Sequence, residues 1–484
     1  MGPGDRIDAD VVVVGAGAGG LYAALTAAHS GARVVLVSAT PLARTASYWA
    51  QGGLAAALAV DDSPDRHRHD TERAGRGLVR TSAAALLCRE AANAVAALER
   101  LGVHFDADRH GNLALGMEGG HSLRRVVHAG GSATGRRVVR QLSAVVVETP
   151  QVTILEGARA ARLWTADQRC VGVVCEDGSA IAAPAVILAT GGCAALWART
   201  TNPPGSLGIG LLLAREAGAG LADLEFMQFH PTAVVGVRGR EGFLITEAIR
   251  GEGATLLDAR GERFVEELAP RDEVARAIWD TMQASGEPSV ALDMRGVDPS
   301  LFPNVVGALR DAGLDPQREL VPVAPAAHYG MGGIVADLDG ATTVPGLYAI
   351  GESACTGLHG ANRLASNSLT ECFVFGARAA LAAMGETRTD PGAPPPAEPI
   401  QAPAAQTRAA VWAHAGLVRT PQGLAELADD PHPLARLIAA HALLRCESRG
   451  AHAREDFPAL DPALDLHHSV SGPGASAPVF ERWA

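Results

Sequence analysis

Val11–Val14 is an unbroken apolar run of four β-branched residues. A run with no polar alternation predicts a strand covered on both faces, as in a parallel sheet. It passes into Gly15-Ala16-Gly17-Ala18-Gly19-Gly20 and then Leu21–His29, whose alanine-rich spacing predicts a helix ended by Gly31. Arg33–Val37 is apolar again and predicts a second strand, which completes a β-α-β unit at the start of the chain. Leu155–Val174 and Ala180–Ala189 alternate or run apolar in short stretches, as strands of an α/β fold do. From Phe226 to about Ala327 the charge density rises and Arg271–Met282 takes helical spacing, which predicts a second unit inserted into the first. Strand signals return at Gly346–Ile350, with a helix over Ser368–Ala383. Thr387–Ala405 is dense in Pro and Ala and reads as a linker; Gln406–Cys446 has helical periodicity, and Pro458–Ala484 shows little pattern. The expected fold class is α/β. A discontinuous Rossmann-like domain (1–225 and 330–386) carries an inserted α+β capping domain (226–329), and a linker (387–405) leads to a C-terminal helical region (406–484).

Composition narrows the chemistry. A chain of 484 residues exceeds one compact core. Its 41 basic and 53 acidic residues give a net charge of −12, which argues against nucleic acid as a partner. Every basic residue is arginine, so a Schiff-base lysine and a lysine-bearing P-loop are both excluded. The seven cysteines are scattered, with no C-x-x-C pair, so neither a metal site nor an iron–sulfur cluster is expected. Met1–Asp10 lacks a signal-peptide core and no apolar run reaches membrane-spanning length, so the expectation is a soluble, cytoplasmic protein with no membrane partner.

Gly15, Gly17 and Gly20 satisfy G-x-G-x-x-G between a predicted strand and a predicted helix. The first glycine permits the tight turn, the second lets backbone approach a pyrophosphate, and the third lets helix and strand pack closely. Ala16, Ala18 and Gly19 complete this loop, whose helix end offers N–H donors. At the end of the second strand, where an acidic residue usually binds a ribose, stands Ser38. Two further strand-to-glycine segments favour FAD over NAD. They are Val186–Gly192, which includes Thr190 and Gly191, and Gly346–Glu352, whose carboxylate could hold ribityl hydroxyls.

Polar residues recur in glycine-rich settings: Glu118–Ser122, Gln228–Thr232, Thr246-Glu247, Pro270-Arg271-Asp272, His328–Gly333 and Gly360–Leu369. Each could be structural taken singly. Together they supply two histidines, two arginines and a threonine, a set suited to a small dicarboxylate because arginine clamps a carboxylate bidentately. Ala50-Gln51-Gly52-Gly53 within Ser47–Gly53, Gln228–Thr232, Pro270–Asp272 and Gly360–Leu369 resemble the succinate dehydrogenase/fumarate reductase flavoprotein family, over Val11 to about Arg454.

The resemblance implies FAD held by the glycine loop and by Thr45, Ala46, Ser47, Gln51, Gly52, Gly53, Ser368 and Leu369. Membrane-bound members tether FAD to a histidine at the position of Ala46, so the FAD here is expected to be non-covalent. Glu118 matches a glutamate of the aspartate-oxidising branch and implies L-aspartate as substrate. One carboxylate would then sit on Arg363 and His328 and the other on His230 and Thr246, with Glu118 and Gln228 at the amine. Dioxygen or fumarate would be the acceptor, and the product would pass to quinolinate synthase in NAD biosynthesis. Arg271 matches the family's catalytic arginine. Met331, Ile209 and Cys446 depart from the branch pattern. A soluble fumarate reductase, or a catalytically silent flavoprotein, stays open as an alternative.

Overall fold

Val11–Val14 forms the central strand of a five-stranded parallel sheet in the computed structural model, which describes residues 6–475 and 477–484. Its neighbours are Ala185–Leu188 on one side and Val34–Ser38 on the other, and Leu347–Ala349 and Val152–Glu156 form the edges. The valines are at most 5% exposed, each worth about 1.5–3 kcal/mol of burial. On one face the helix Ala18–His29 packs against the helix Asn367–Ala383. Their contact is glycine on glycine, since a Cβ on Gly376 would lie 3.3 Å from the Gly19 carbonyl oxygen. A second sheet runs Arg6–Asp8, Ala180–Ala182, Arg169–Cys175, Ala160–Ala166.

The segment after Phe226 builds its own antiparallel sheet, in the order Met227–Val234, Val321–Gly330, Val290–Asp293, Thr255–Leu257. The helices Arg271–Ser285 and Pro303–Asp311 share its separate apolar core. Both long strands of this sheet carry site residues: Gln228 and His230 on one, His328 and Tyr329 on its antiparallel partner. No regular element occurs between Ala383 and Ala405; three helices then span Ala405–Leu444.

The patternless reading of the last stretch is corrected by the structure. His467–Ser471 and Val479–Arg482 form a hairpin that joins a five-stranded sheet with Ala354–Cys355, Gly333–Val335 and Leu221–Ala222. The strands are short and polar, and a buried ion network holds them where apolar alternation does not. Arg445, fully buried, donates to Glu225 Oε1 at 2.7 Å, Glu447 Oε1 at 3.0 Å and the His467 carbonyl at 2.8 Å. Its guanidinium also lies 4.9 and 5.0 Å from the Phe226 and Phe480 rings. Among the described residues no helix is long and apolar enough to cross a membrane.

Removing one partner of a buried ion cluster strands the other charge, at a cost of about 3–5 kcal/mol. Arg445→Ala is therefore expected to lower the urea midpoint sharply. An unchanged midpoint would contradict the structural weight given to this cluster.

Candidate active site

The glycine loop has the shape its sequence demands. Gly15 adopts φ +109°, and a Cβ there would lie 2.2 Å from the Ala189 carbonyl oxygen. A Cβ on Gly20 would lie 1.9 Å from the Gly15 oxygen, so loop, helix and neighbouring strand close on one another only with hydrogen at these positions. The helix beginning at Ala18 has no side-chain cap and no acid in its first turn, and Ser47 Oγ accepts the Ala18 N–H at 3.1 Å. The first-turn N–H groups of a helix lack intrahelical partners, so this end suits an anion.

Around that space Thr45 Oγ1, Gln51 Oε1 and Thr190 Oγ1 are buried without a protein partner. Unpartnered buried hydroxyl and amide oxygens require a ligand or water, and a dinucleotide's phosphates, ribityl hydroxyls and flavin ring supply suitable groups. The residues fit FAD. Gly191 takes φ +74°, and a Cβ on Gly192 would strike the Glu352 carboxylate. Burial pushes Glu352 up to about 7, even though it accepts the Gly330 N–H at 3.0 Å. Position 46 is alanine and has no side-chain nitrogen for a covalent tether. Three of the expected contact residues also bond or pack within the protein. Ser38 donates its hydroxyl to the Thr40 carbonyl at 2.6 Å, because the buried strand end leaves it facing its own turn. Gly53 gives its N–H to Ser366 Oγ, and Leu369 is buried in the apolar core. Ser368 accepts from Arg363 at 2.9 Å and fixes that arginine.

The polar constellation assembles beside this cradle. Gln228 is the hub: its Oε1 accepts from Arg271 at 3.1 Å and from Arg363 at 3.0 Å. Its Nε2 donates to Asn362 Oδ1 and to the Arg363 carbonyl, both at 2.9 Å. The amide is thus fully engaged in spacing two guanidinium groups, which corrects the expectation that it reaches a substrate amine. His230 and His328 stand with ring centroids 5.1 Å apart. Burial first, then the neighbouring arginines, hold both histidines well below the usual range, so they are neutral hydrogen-bonding groups. Thr201 Oγ1 lies 2.8 Å from His328 Nδ1, and His230 Nε2 is buried with no partner. Thr246, 4% exposed, starts the short helix Glu247–Gly251. Burial and the Arg271 charge lower Arg363 to about 10, which leaves it a cation at neutral pH.

Glu118 enters from another loop. It is buried and accepts from Ser366 at 2.6 Å, with His128 Nε2 3.6 Å away. Burial works to raise its pKa, but His128, Arg271 and Ser366 prevail and bring it to about 2. His121 in the same loop is structural: it bonds the Ala365 carbonyl and Arg125, which is itself clamped by Asp62 and Asp70. Met331 packs against Phe226 and Leu78 in a small core. Ile209 begins a helix and Cys446 is exposed. Among the described residues no cluster suited to a metal ion occurs.

The structure gives roles to four residues to which the sequence assigned none, Glu247, Tyr329, Glu371 and His359. Glu247 accepts from Arg271 Nε at 2.7 Å and from the Gly119 N–H at 2.5 Å, and stands 3.7 Å from Arg250. Its adjacency to Thr246 was the available signal. Tyr329 stacks under Arg363 at 4.5 Å and donates to Glu371 at 2.7 Å, and His359 bonds the same carboxylate at 2.9 Å. No spacing in the sequence joins these residues.

A strand–glycine loop–helix cradle beside a buried arginine–histidine pocket defines an FAD-dependent oxidoreductase. Comparison agrees: the FAD binding domain family matches residues 10–369, and the fumarate reductase flavoprotein C-terminal family matches 428–479. L-aspartate oxidase from Agrobacterium fabrum is 46% identical, over 93% of this chain and 91% of that one. The L-aspartate oxidase of Streptomyces coelicolor is 42% identical, over 97% and 92%. Among solved structures, a variant of Escherichia coli quinol fumarate reductase superposes with TM-score 0.87 at 27% identity, over 99% and 96% of the two chains. The chain belongs to the succinate dehydrogenase/fumarate reductase flavoproteins and, within them, to the L-aspartate oxidase family.

A buried cation–π contact is worth about 2 kcal/mol, or ~30-fold in binding. Tyr329→Leu should raise KM for the dicarboxylate substrate by ~10–30-fold, whereas Tyr329→Phe, which keeps the ring, should change it by less than ~3-fold. Equal effects in steady-state assays would show that the ring does not position Arg363.

Proposed function

We propose that this chain oxidises L-aspartate at its α-carbon to iminosuccinate, with dioxygen or fumarate as the terminal acceptor. FAD, held by the glycine loop, would supply the two-electron acceptor for the Cα hydride, with the amine proton lost to solvent, and reoxidation would give hydrogen peroxide from dioxygen or succinate from fumarate. Glu118 carries the reading. Three guanidinium groups, of Arg250, Arg271 and Arg363, meet two carboxylates, Glu118 and Glu247, in one pocket where His230 and His328 are neutral. The surplus of one positive charge matches a dicarboxylate that also bears an ammonium. Glu118 supplies the counter-ion for that ammonium, which succinate lacks. At a pKa of about 2 it is a counter-ion and a poor base.

Arg363 and His328 would hold one substrate carboxylate, and His230 Nε2 and Thr246 the other. Arg271, oriented by Glu247 and Gln228, would stabilise negative charge that develops across the substrate. The Gly15–Gly20 loop, Thr45, Gln51 and Thr190 would hold the cofactor's phosphates and flavin, and Glu352 its ribityl hydroxyls. Iminosuccinate hydrolyses readily, which supports direct use by quinolinate synthase in the cytoplasm, at the entry to NAD biosynthesis. The alternative, fumarate reduction as the main activity, draws on the Arg271–Glu247–Arg250 array and needs no ammonium partner.

Losing a charge-assisted contact costs about 1.5–3 kcal/mol. Glu118→Gln should therefore lower kcat/KM for L-aspartate by ~10–100-fold and leave fumarate reduction by chemically reduced enzyme within ~3-fold. Equal losses in both reactions would remove the reason to prefer aspartate.

Hydroxyl donors to a carboxylate stabilise its ionised form. FAD binding to the apoprotein should accordingly pull Glu352 below about 7 and release protons at neutral pH. Calorimetric titration in buffers of different ionisation enthalpy reads this release, which should vanish in Glu352→Gln. Proton uptake on binding would contradict the assignment.

A further inference from the structure

Away from the flavin cradle, the helix Thr134–Val147 and the start of the helix Pro303–Asp311 border a cleft of about 580 Å³. Its charge is one-sided. Arg136, Arg137 and Arg140 line it together with Gln141 and Asn304, and no carboxylate does. Among the described residues none of the three arginines forms an ion pair, in a chain whose net charge is −12. Both helices that border the cleft begin without a side-chain cap and without an acid in the first turn. Two positive dipole ends therefore add to three unneutralised guanidinium groups.

The arginines are also held in place. Arg136 and Arg140, one turn apart, flank the Tyr48 ring at 5.7 and 5.8 Å. Arg137 lies over Gly130, where a Cβ would come within 2.9 Å of Nε and the backbone has φ +68°. Asp106 accepts the N–H groups of Gly130 and Gly131 at 2.7 and 2.8 Å, which fixes the loop beneath Arg137, and it forms no ion pair with the three arginines.

We propose that this cleft binds a small diphosphate-bearing anion, at a site separate from that of FAD. Planar guanidinium forks on successive turns match adjacent phosphate groups. The volume falls in the range of small-molecule pockets, and a free diphosphate fills only part of it, which leaves room for an attached nucleoside. The site also bridges two parts of the fold, because Asn304 belongs to the segment inserted after Phe226. The start of the Thr134 helix is fixed to the flavin side: Gly135 donates to the Ala50 carbonyl at 3.0 Å, and a Cβ on Gly135 would lie 2.0 Å from the Ser47 carbonyl oxygen. An anion in the cleft thus braces the inserted sheet against the loop that precedes Gln51.

The test is isothermal titration of the FAD-loaded enzyme with inorganic pyrophosphate and, separately, with ADP, while the flavin spectrum is followed. One saturable site per chain is expected, with flavin retained. Affinity should fall at least ~10-fold in the double variant Arg137→Ala/Arg140→Ala and recover only in part in Arg137→Lys/Arg140→Lys, which keeps the charge and loses the planar fork. ADP binding ~10-fold tighter than pyrophosphate would identify a nucleotide as the occupant, and equal binding a free diphosphate. Three results would overturn the proposal: no saturation at millimolar pyrophosphate or ADP, equal affinity in the alanine double variant, or release of FAD by the added anion. Both arginines are exposed and unpaired, so their removal leaves the core intact. Unchanged melting temperatures verify this.

Discussion

Three guanidinium groups crowd one desolvated pocket, and like charges at such range repel strongly where water cannot screen them. Much of the surrounding structure keeps them there. Gln228 bridges Arg271 and Arg363 with a single amide oxygen, Glu247 sits between Arg271 and Arg250, and Tyr329 presents its π face to Arg363. Neutral His230 and His328 add donors without adding charge. The positive surplus that remains is the pocket's affinity for an anion, held ready before any ligand arrives.

The fold serves that arrangement. The parallel sheet and its glycine loop form a dinucleotide cradle at the carboxyl ends of the strands, where open α/β sheets bind ligands. The inserted antiparallel sheet contributes Gln228 and His230 from one strand and His328 and Tyr329 from its neighbour. Glu118 and Ser366 then tie the cradle to the pocket, because Ser366 accepts from Gly53 and donates to Glu118. The Gly53 backbone and the Glu118 carboxylate share one hydroxyl, so neither moves without the other.

The cradle was legible in the sequence because its physics is local. Val11–Val14, the glycine loop and the following helix lie within twenty residues, and each carries a signal for its conformation. The inserted unit was legible as a change of texture, and Gln228, His230, Arg271, His328 and Arg363 as polar residues in glycine-rich surroundings. Interactions between distant segments were not legible. Nothing near Tyr329 announces Glu371, and Glu247 looked like a companion of Thr246 until Arg271 was placed against it. The terminal hairpin failed for the same reason: its strands alternate weakly, and their stability comes from Arg445, Glu225 and Glu447, spread over more than two hundred residues. Ser38, at a position inferred by analogy with an acidic residue, gives its hydroxyl proton to its own turn.

The central claim is that the pocket is built for a dicarboxylate bearing an α-ammonium. Anaerobic mixing of the FAD-loaded enzyme with substrate, followed at the oxidised-flavin absorbance band, tests it most directly. L-aspartate should bleach the flavin, while succinate and D-aspartate leave it oxidised. Bleaching by succinate, or none by L-aspartate together with rapid reoxidation of the reduced enzyme by fumarate, would contradict the account and leave Glu118 without its partner.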